Sequence, residues 1–197
     1  MLKQPEKTRA SLVEAALETL QTEGFSGTTA RAIAGRAGVN QALVFYHFGG
    51  VDGLLMAALD AAASERLERY RSAMEAAPTT PEKVAAARRL YREDVEGGHT
   101  TVIAELLAAS LARPELRAEL LVRMRPWIEL VEGVLTDVAG ESPLAELIPL
   151  ADAASALVAL YLGLNLLSRL DPASSQADSL FDVMDRVAPL LPGPSTS

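Results

Sequence analysis

The chain has 197 residues, enough for one domain or two small ones around a buried core. It has no cysteine, which excludes disulfides, thiolate metal sites and cysteine nucleophiles, and two histidines, His47 and His99, leave little for a histidine-based metal site. With 18 basic and 26 acidic residues the net charge is −8, so any contact with nucleic acid has to come from a local patch. A hydrophobic share of 49% excludes global disorder. No apolar run approaches the ~20 residues of a membrane span, and the start, Met-Leu-Lys-Gln-Pro-Glu-Lys, lacks the apolar segment of a signal peptide. A soluble, cytoplasmic setting is expected.

The periodic signal is helical almost throughout, with proline and glycine as punctuation, and predicts an all-α fold. A first helix is expected from about Thr8 to Thr22, with Leu12, Ala16, Leu17 and Leu20 on one stripe. Gly24 is placed to end it in a left-handed conformation. Thr28 and Thr29 offer hydroxyls to cap a short second helix, near Ala30 to Arg36. Ala37 to Asn40 reads as a tight turn, and a third short helix runs from Gln41 to about Phe48. After Gly49-Gly50 a long fourth helix covers Asp52 to about Ala77. Thr80-Pro81 opens the fifth, with Thr80 as cap, and Gly97-Gly98 closes it. The sixth spans roughly Thr101 to Ala112. The seventh spans Pro114 to Val138, kinked or divided at Pro126. After a connector from Gly140 to Pro149, a very apolar eighth helix covers Leu150 to Arg169. A ninth runs from about Gln176 to Leu191, before a frayed tail.

Two short helices joined by a glycine-containing turn form the helix-turn-helix pattern. Ala34 is small where the helices cross, and Gly38 supplies the positive φ of the turn. Ile33, Ala37, Val39 and Val44 are apolar where a small core would form. Residues 1–53 carry Lys3, Lys7, Arg9, Arg31 and Arg36 against Glu6, Glu14, Glu18, Glu23 and Asp52, so this half is neutral and the excess acid lies in the remainder.

The run from Gly27 to Phe48, ending Phe45-Tyr46-His47-Phe48 and followed by Gly49-Gly50 and Leu54-Leu55, resembles the DNA-binding region of the tetracycline-repressor (TetR) family over about residues 8–60. The resemblance implies a homodimeric, all-helical regulator. Residues 4–64 would form a three-helix DNA-binding domain, with the helix-turn-helix at about 29–48. Residues 65–197 would form a six-helix effector-binding and dimerisation domain. It implies a repressor that binds a partly palindromic operator and is released by a small apolar or amphipathic molecule, with no cofactor. Asn40, Gln41, Ala42 and Leu43 would begin the recognition helix in the major groove, Gln41 pairing with adenine and Ala42 or Leu43 packing on a thymine methyl. Thr29, Arg31, Tyr46 and His47 match phosphate or base-edge contacts, and Lys3, Lys7 and Arg9 would form an arm along the backbone. Phe45 stands where the family usually has tyrosine and Val51 where it usually has lysine. Phe45 can keep a ring contact but loses the hydroxyl bond to phosphate, whereas Val51 removes a charged phosphate contact per subunit, which lowers affinity and flattens the salt dependence of binding.

In the C-terminal part, Leu160, Leu164 and Leu167 of the eighth helix and Leu180, Val183, Met184 and Val187 of the ninth suit a symmetric four-helix dimer interface. The effector pocket is expected near Tyr91, His99, Trp127, Tyr161 and Asn165. Tyr161 and Asn165 share one face of an apolar helix, and a buried asparagine needs partners. Each of these five, taken singly, is also an ordinary core or interface residue. No serine–histidine–acid set, metal spacing or phosphate loop points to an enzyme. The alternative from another class is a helical small-molecule carrier whose DNA head is degenerate, for which Val51 and Phe45 are the support.

Overall fold

A computed structural model describes residues 4–139, 149–171 and 176–191. In chain order the helices are α1 (Gln4–Gly27), α2 (Ala30–Ala37), α3 (Ala42–Phe48), α4 (Val51–Glu75), α5 (Thr80–Glu96), α6 (His99–Ser110), α7 (Pro114–Ala139), α8 (Leu150–Leu170) and α9 (Gln176–Val187). A 3-10 turn, Ala188–Leu190, extends α9, and the described residues contain no strand. The chain divides into two units: residues 1–66 with 101–122, and residues 67–100 with 123–197. Residues 140–148 of the connector expected from Gly140 to Pro149, and the tail beyond Leu191, lie outside the described residues.

The first unit is built on α1–α3. Leu12, Ala16 and Leu20 of α1 are fully buried, as the stripe predicts, against Ile33 of α2, Val44 of α3 and Leu54 of α4. Val102 and Leu106 of α6 and Leu116 and Leu120 of α7 complete this core. A leucine so buried contributes about 1.5–3 kcal/mol. Gly24 takes a positive φ with non-helical geometry (φ 68°, ψ 180°) and so ends the first helical stretch as expected; a short second stretch follows across the kink to Gly27, within the span of α1. The bend leaves groups without helical partners, and side chains take them: the Phe25 N–H donates to Glu105 Oε2 at 2.8 Å, and the Thr28 hydroxyl donates to the Gly24 carbonyl at 2.7 Å. Arg113 lies over the Phe25 ring and pairs with Asp52 at 2.8 Å.

The helix-turn-helix is closed by its caps. Thr29 is the N-cap of α2 and its hydroxyl accepts from the Ala32 N–H at 3.1 Å. At the other end Gly38 adopts the left-handed conformation (φ 67°, ψ 30°), and the Val39 N–H returns to the Ala34 carbonyl at 3.0 Å. Asn40 Oδ1 accepts from the Ala42 N–H at 2.9 Å and so caps α3. Arg36 is not a solvated bystander: it bonds Thr22 Oγ1 and pairs with Glu23 and Glu18, tying α2 to α1.

Three expectations are corrected. The cap of α5 is Thr79, not Thr80: Thr79 and Glu82 form a reciprocal capping box, and Thr80 is the buried first helical residue, with Pro81 following. Two adjacent threonines offer the same chemistry, and the register of Glu82 selects the first. Of the kink or division expected at Pro126, the division does not occur: α7 is one helix through Pro126. The 19 residues Leu150–Ser168 of α8 have a mean hydropathy of 1.7, so by length and composition this helix is apolar enough to cross a membrane, contrary to expectation. Its few polar residues, among them Asp152 and Asn165, are spaced widely enough to leave the average high.

A Cβ at Gly38 would meet nothing within 4 Å, so the cost of Gly38→Ala is backbone strain alone. Chemical denaturation followed by circular dichroism is expected to show a loss of about 1 kcal/mol. No loss would mean that the turn does not depend on the left-handed conformation.

Candidate nucleic-acid interface and interior polar cluster

In the first unit the packing that buries Ile33, Ala34 and Val44 leaves the opposite side of α2 and α3 to solvent. Thr29, Arg31, Asn40, Gln41, Ala42, Phe45 and Tyr46 are all exposed, Tyr46 at 81% and Phe45 at 57%. An exposed phenylalanine and tyrosine on one short helix have no packing role in the chain itself. His47 is half-buried, with its ring edge-on to those of Tyr46 (4.9 Å) and Phe48 (6.2 Å). Leu43 differs from its neighbours, being half-buried and packed against the core. Val51 packs against the same core, and the Arg9 guanidinium lies 5.1 Å from the centre of the Phe48 ring. The exposed surface presents amide, hydroxyl and guanidinium donors beside the starts of two helices, α2 with Thr29 and α3 with Asn40. Those are the groups that hold phosphates and read base edges.

The second unit holds a buried polar cluster. Tyr91, Asp94 and Asn165 are 6%, 2% and 3% exposed. Asp94 Oδ2 accepts from the hydroxyls of Tyr70 (2.7 Å) and Tyr161 (2.9 Å). The Tyr91 and Tyr161 rings meet edge-on at 5.7 Å, Tyr91 packs on Phe181 at 5.6 Å, and the Tyr91 hydroxyl lies 3.5 Å from Ser168 Oγ. Trp127 meets the Tyr70 ring edge-on at 5.4 Å. Burial, with Tyr161 and Asp94 nearby, pushes the Tyr70 phenol well above its ordinary range, so it remains a donor. The expected residues Tyr91, Tyr161 and Asn165 are thus brought together and Trp127 is joined to them through Tyr70. His99 is the half-buried first residue of α6. Asp94 and Tyr70 were missed from the sequence. Asp94 stands in a charged stretch, Arg92-Glu93-Asp94-Val95-Glu96, and only its helical phase, three residues after Tyr91 and four after Leu90, marks it as inward-facing.

Along α5 and α9 the same unit is tied by Arg88 to Asp182 (2.6 Å) and Asp185 (3.2 Å), and by Arg92 to Asp178 (2.6 Å). The Arg92 hydrogen bond holds the Asp178 carboxyl below its ordinary range. Leu160 and Leu167 of α8 and Val183 and Val187 of α9 are exposed, together with Leu157, Leu166 and Leu170. Leu164 and Leu180 are half-buried, and Met184 packs inward against the Tyr91–Phe181 cluster rather than outward.

Residues 12–58, from α1 into α4, match the family described as bacterial regulatory proteins, tetR family. Over 177 residues the chain is 30% identical to the HTH-type transcriptional regulator BetI of Paraburkholderia phymatum, with 87% of each protein covered. The chain belongs to the TetR family of transcriptional regulators. A further TetR-family match, to BetI of Paraburkholderia xenovorans, is 30% identical over 112 residues and spans 55% of this chain and 57% of that relative. Among solved structures, that of the multidrug binding protein EbrR complexed with imidazole is 29% identical, with a TM-score of 0.62, covering 95% of this chain and 92% of that one.

Asp94 leaves two buried hydroxyls without their acceptor when it is removed. Asp94→Ala is expected to lower stability by about 2 kcal/mol, while Asp94→Asn, which keeps an acceptor oxygen, costs less. Equal losses in denaturant titration would mean that the negative charge, which both variants remove, and not an acceptor oxygen alone is what the two hydroxyls require.

Proposed function

We propose that the chain is a cytoplasmic repressor that binds a partly palindromic operator as a homodimer and leaves it when a small apolar or amphipathic effector binds. The observation that carries this reading is the solvent-facing side of α2 and α3, where polar and aromatic side chains stand outward from a buried Ile33–Val44 core. In this reading residues 4–64 are the DNA-binding domain and residues 65–197 bind effector and partner. Asn40, Gln41 and Ala42 begin the recognition helix, and Gln41 reads a base edge. Thr29, Arg31, Tyr46 and His47 hold phosphates, and Phe45 contributes ring contact. Leu43 braces the recognition helix from within, consistent with its place against the core. Val51 contributes no phosphate contact, so the operator complex is of modest affinity.

The dimer reading is supported by the exposed leucines and valines of α8 and α9, a contiguous apolar surface of the kind that a second copy covers. It also accounts for an α8 apolar enough for a membrane without placing it in one. A dimer supplies the two reading heads that a palindrome requires. Effector release requires that the ligand prefer one conformation, because equal affinity for both shifts nothing. α4 contributes residues to both units and is the element through which such a preference passes. The effector site is placed at the Tyr91–Tyr161–Asn165 cluster. EbrR, whose structure holds a small molecule, supports ligand binding in a chain of this kind.

Arg31→Ala is expected to leave the dimer intact and weaken operator binding about tenfold at moderate salt, with the slope of log affinity against log salt shallower by about 2 per dimer. Fluorescence anisotropy across salt concentrations measures this, and an unchanged slope would remove Arg31 from the interface. Leu167→Glu is expected to give a folded monomer in sedimentation that no longer shifts operator DNA. A dimer that persists would move the interface elsewhere.

A further inference from the structure

Asn165 carries a buried polar atom that its own hydrogen bonds do not explain. The residue is 3% exposed and its Nδ2 donates to the Tyr161 carbonyl at 2.8 Å. Its Oδ1 is buried and has no hydrogen-bond partner among the described residues. The amide cannot be turned over to relieve this, since Oδ1 would then face the Tyr161 carbonyl oxygen, acceptor against acceptor. A buried acceptor left open costs stability unless something donates to it. A second copy of the chain is not the donor, because Asn165 is already enclosed by its own chain.

The surroundings define the donor. Tyr161 has Asn165 at its backbone end and Asp94 at its hydroxyl end. Around it stand the ring of Tyr91 and, 3.5 Å from the Tyr91 hydroxyl, Ser168 Oγ, one helical turn beyond Asn165 on the same face of α8. Aromatic rings with a carboxylate nearby favour a positive charge. A carboxylate ligand would bring acceptor oxygens to an acceptor and a negative charge toward Asp94. A quaternary ammonium suits the rings but has no hydrogen to give Asn165. A protonated amine meets all three demands.

We propose that the effector is a small organic amine, which donates to Asn165 Oδ1 near the rings of Tyr91 and Tyr161, with the buried Asp94 carboxylate at the far end of Tyr161 adding to the preference for positive charge. The inference rests on the reading of the chain as an effector-released regulator and names the chemistry of that effector.

Three probes with one body and different heads test it: 4-phenylbutylamine, 4-phenylbutyltrimethylammonium and 4-phenylbutanoate, titrated into the full chain by calorimetry. The amine is expected to bind at least about tenfold tighter than either of the others. Asn165→Leu abolishes the preference for amine over trimethylammonium. Carboxylate binding as tight as amine binding, or a preference that survives Asn165→Leu, overturns the inference. Absence of binding by all three also overturns it. Operator binding and its release by a broad chemical library, measured on the same preparation, then separate failure of the ligand class from failure of the regulator reading.

Discussion

The left-handed cap at Gly38 sets the direction in which α3 leaves α2, and the reading surface follows from that direction. Once the turn is made, Ile33, Ala34 and Val44 meet in a core with Leu12 and Leu20, and geometry leaves Gln41, Phe45 and Tyr46 nowhere to go but outward. The ion pairs of Arg36 and the caps at Thr29 and Asn40 hold the same arrangement from outside. Each is small alone, since exposed ion pairs are worth under about 1 kcal/mol. Together they keep a seven-residue helix, too short to persist by itself, in one orientation.

The helices of the described residues were legible in the sequence because proline and glycine separate stripes of alanine and leucine with one period. Where two readings were chemically equivalent the sequence was silent. Thr79 and Thr80 are both good caps, and only the reach of Glu82 decides between them. Gly24 has the positive φ its position called for and ends one helical stretch, but the short stretch that follows begins with a Phe25 N–H bonded to Glu105, 80 residues further along the chain. A contact of that sequence separation has no local signal. Met184 and Val183 are adjacent and equally apolar, and only the phase of α9 against Tyr91 and Phe181 turns the first inward.

The interior cluster was half legible. Tyr161 and Asn165 stood out as polar residues four apart on an apolar helix, but Asp94 was hidden among solvent-facing charges. Its burial changes the chemistry of the unit, from an apolar interior with isolated polar groups to a connected network, in which the hydroxyls of Tyr70 and Tyr161 share Asp94 Oδ2 and Asn165 keeps an open acceptor. Buried networks of this kind are costly when incomplete, and that makes them informative about what completes them.

The central claim is that the exposed side of α2 and α3 reads DNA. Its most direct test is selection of binding sites from a random double-stranded library by the purified chain, followed by affinity against salt for the recovered sequence. The account predicts an inverted repeat with two half-sites and a log–log salt slope that reflects several phosphate contacts per head. Failure to enrich any sequence, from protein shown to be a folded dimer, would contradict it and leave the interior cluster of the second unit as the functional centre of a ligand-binding protein.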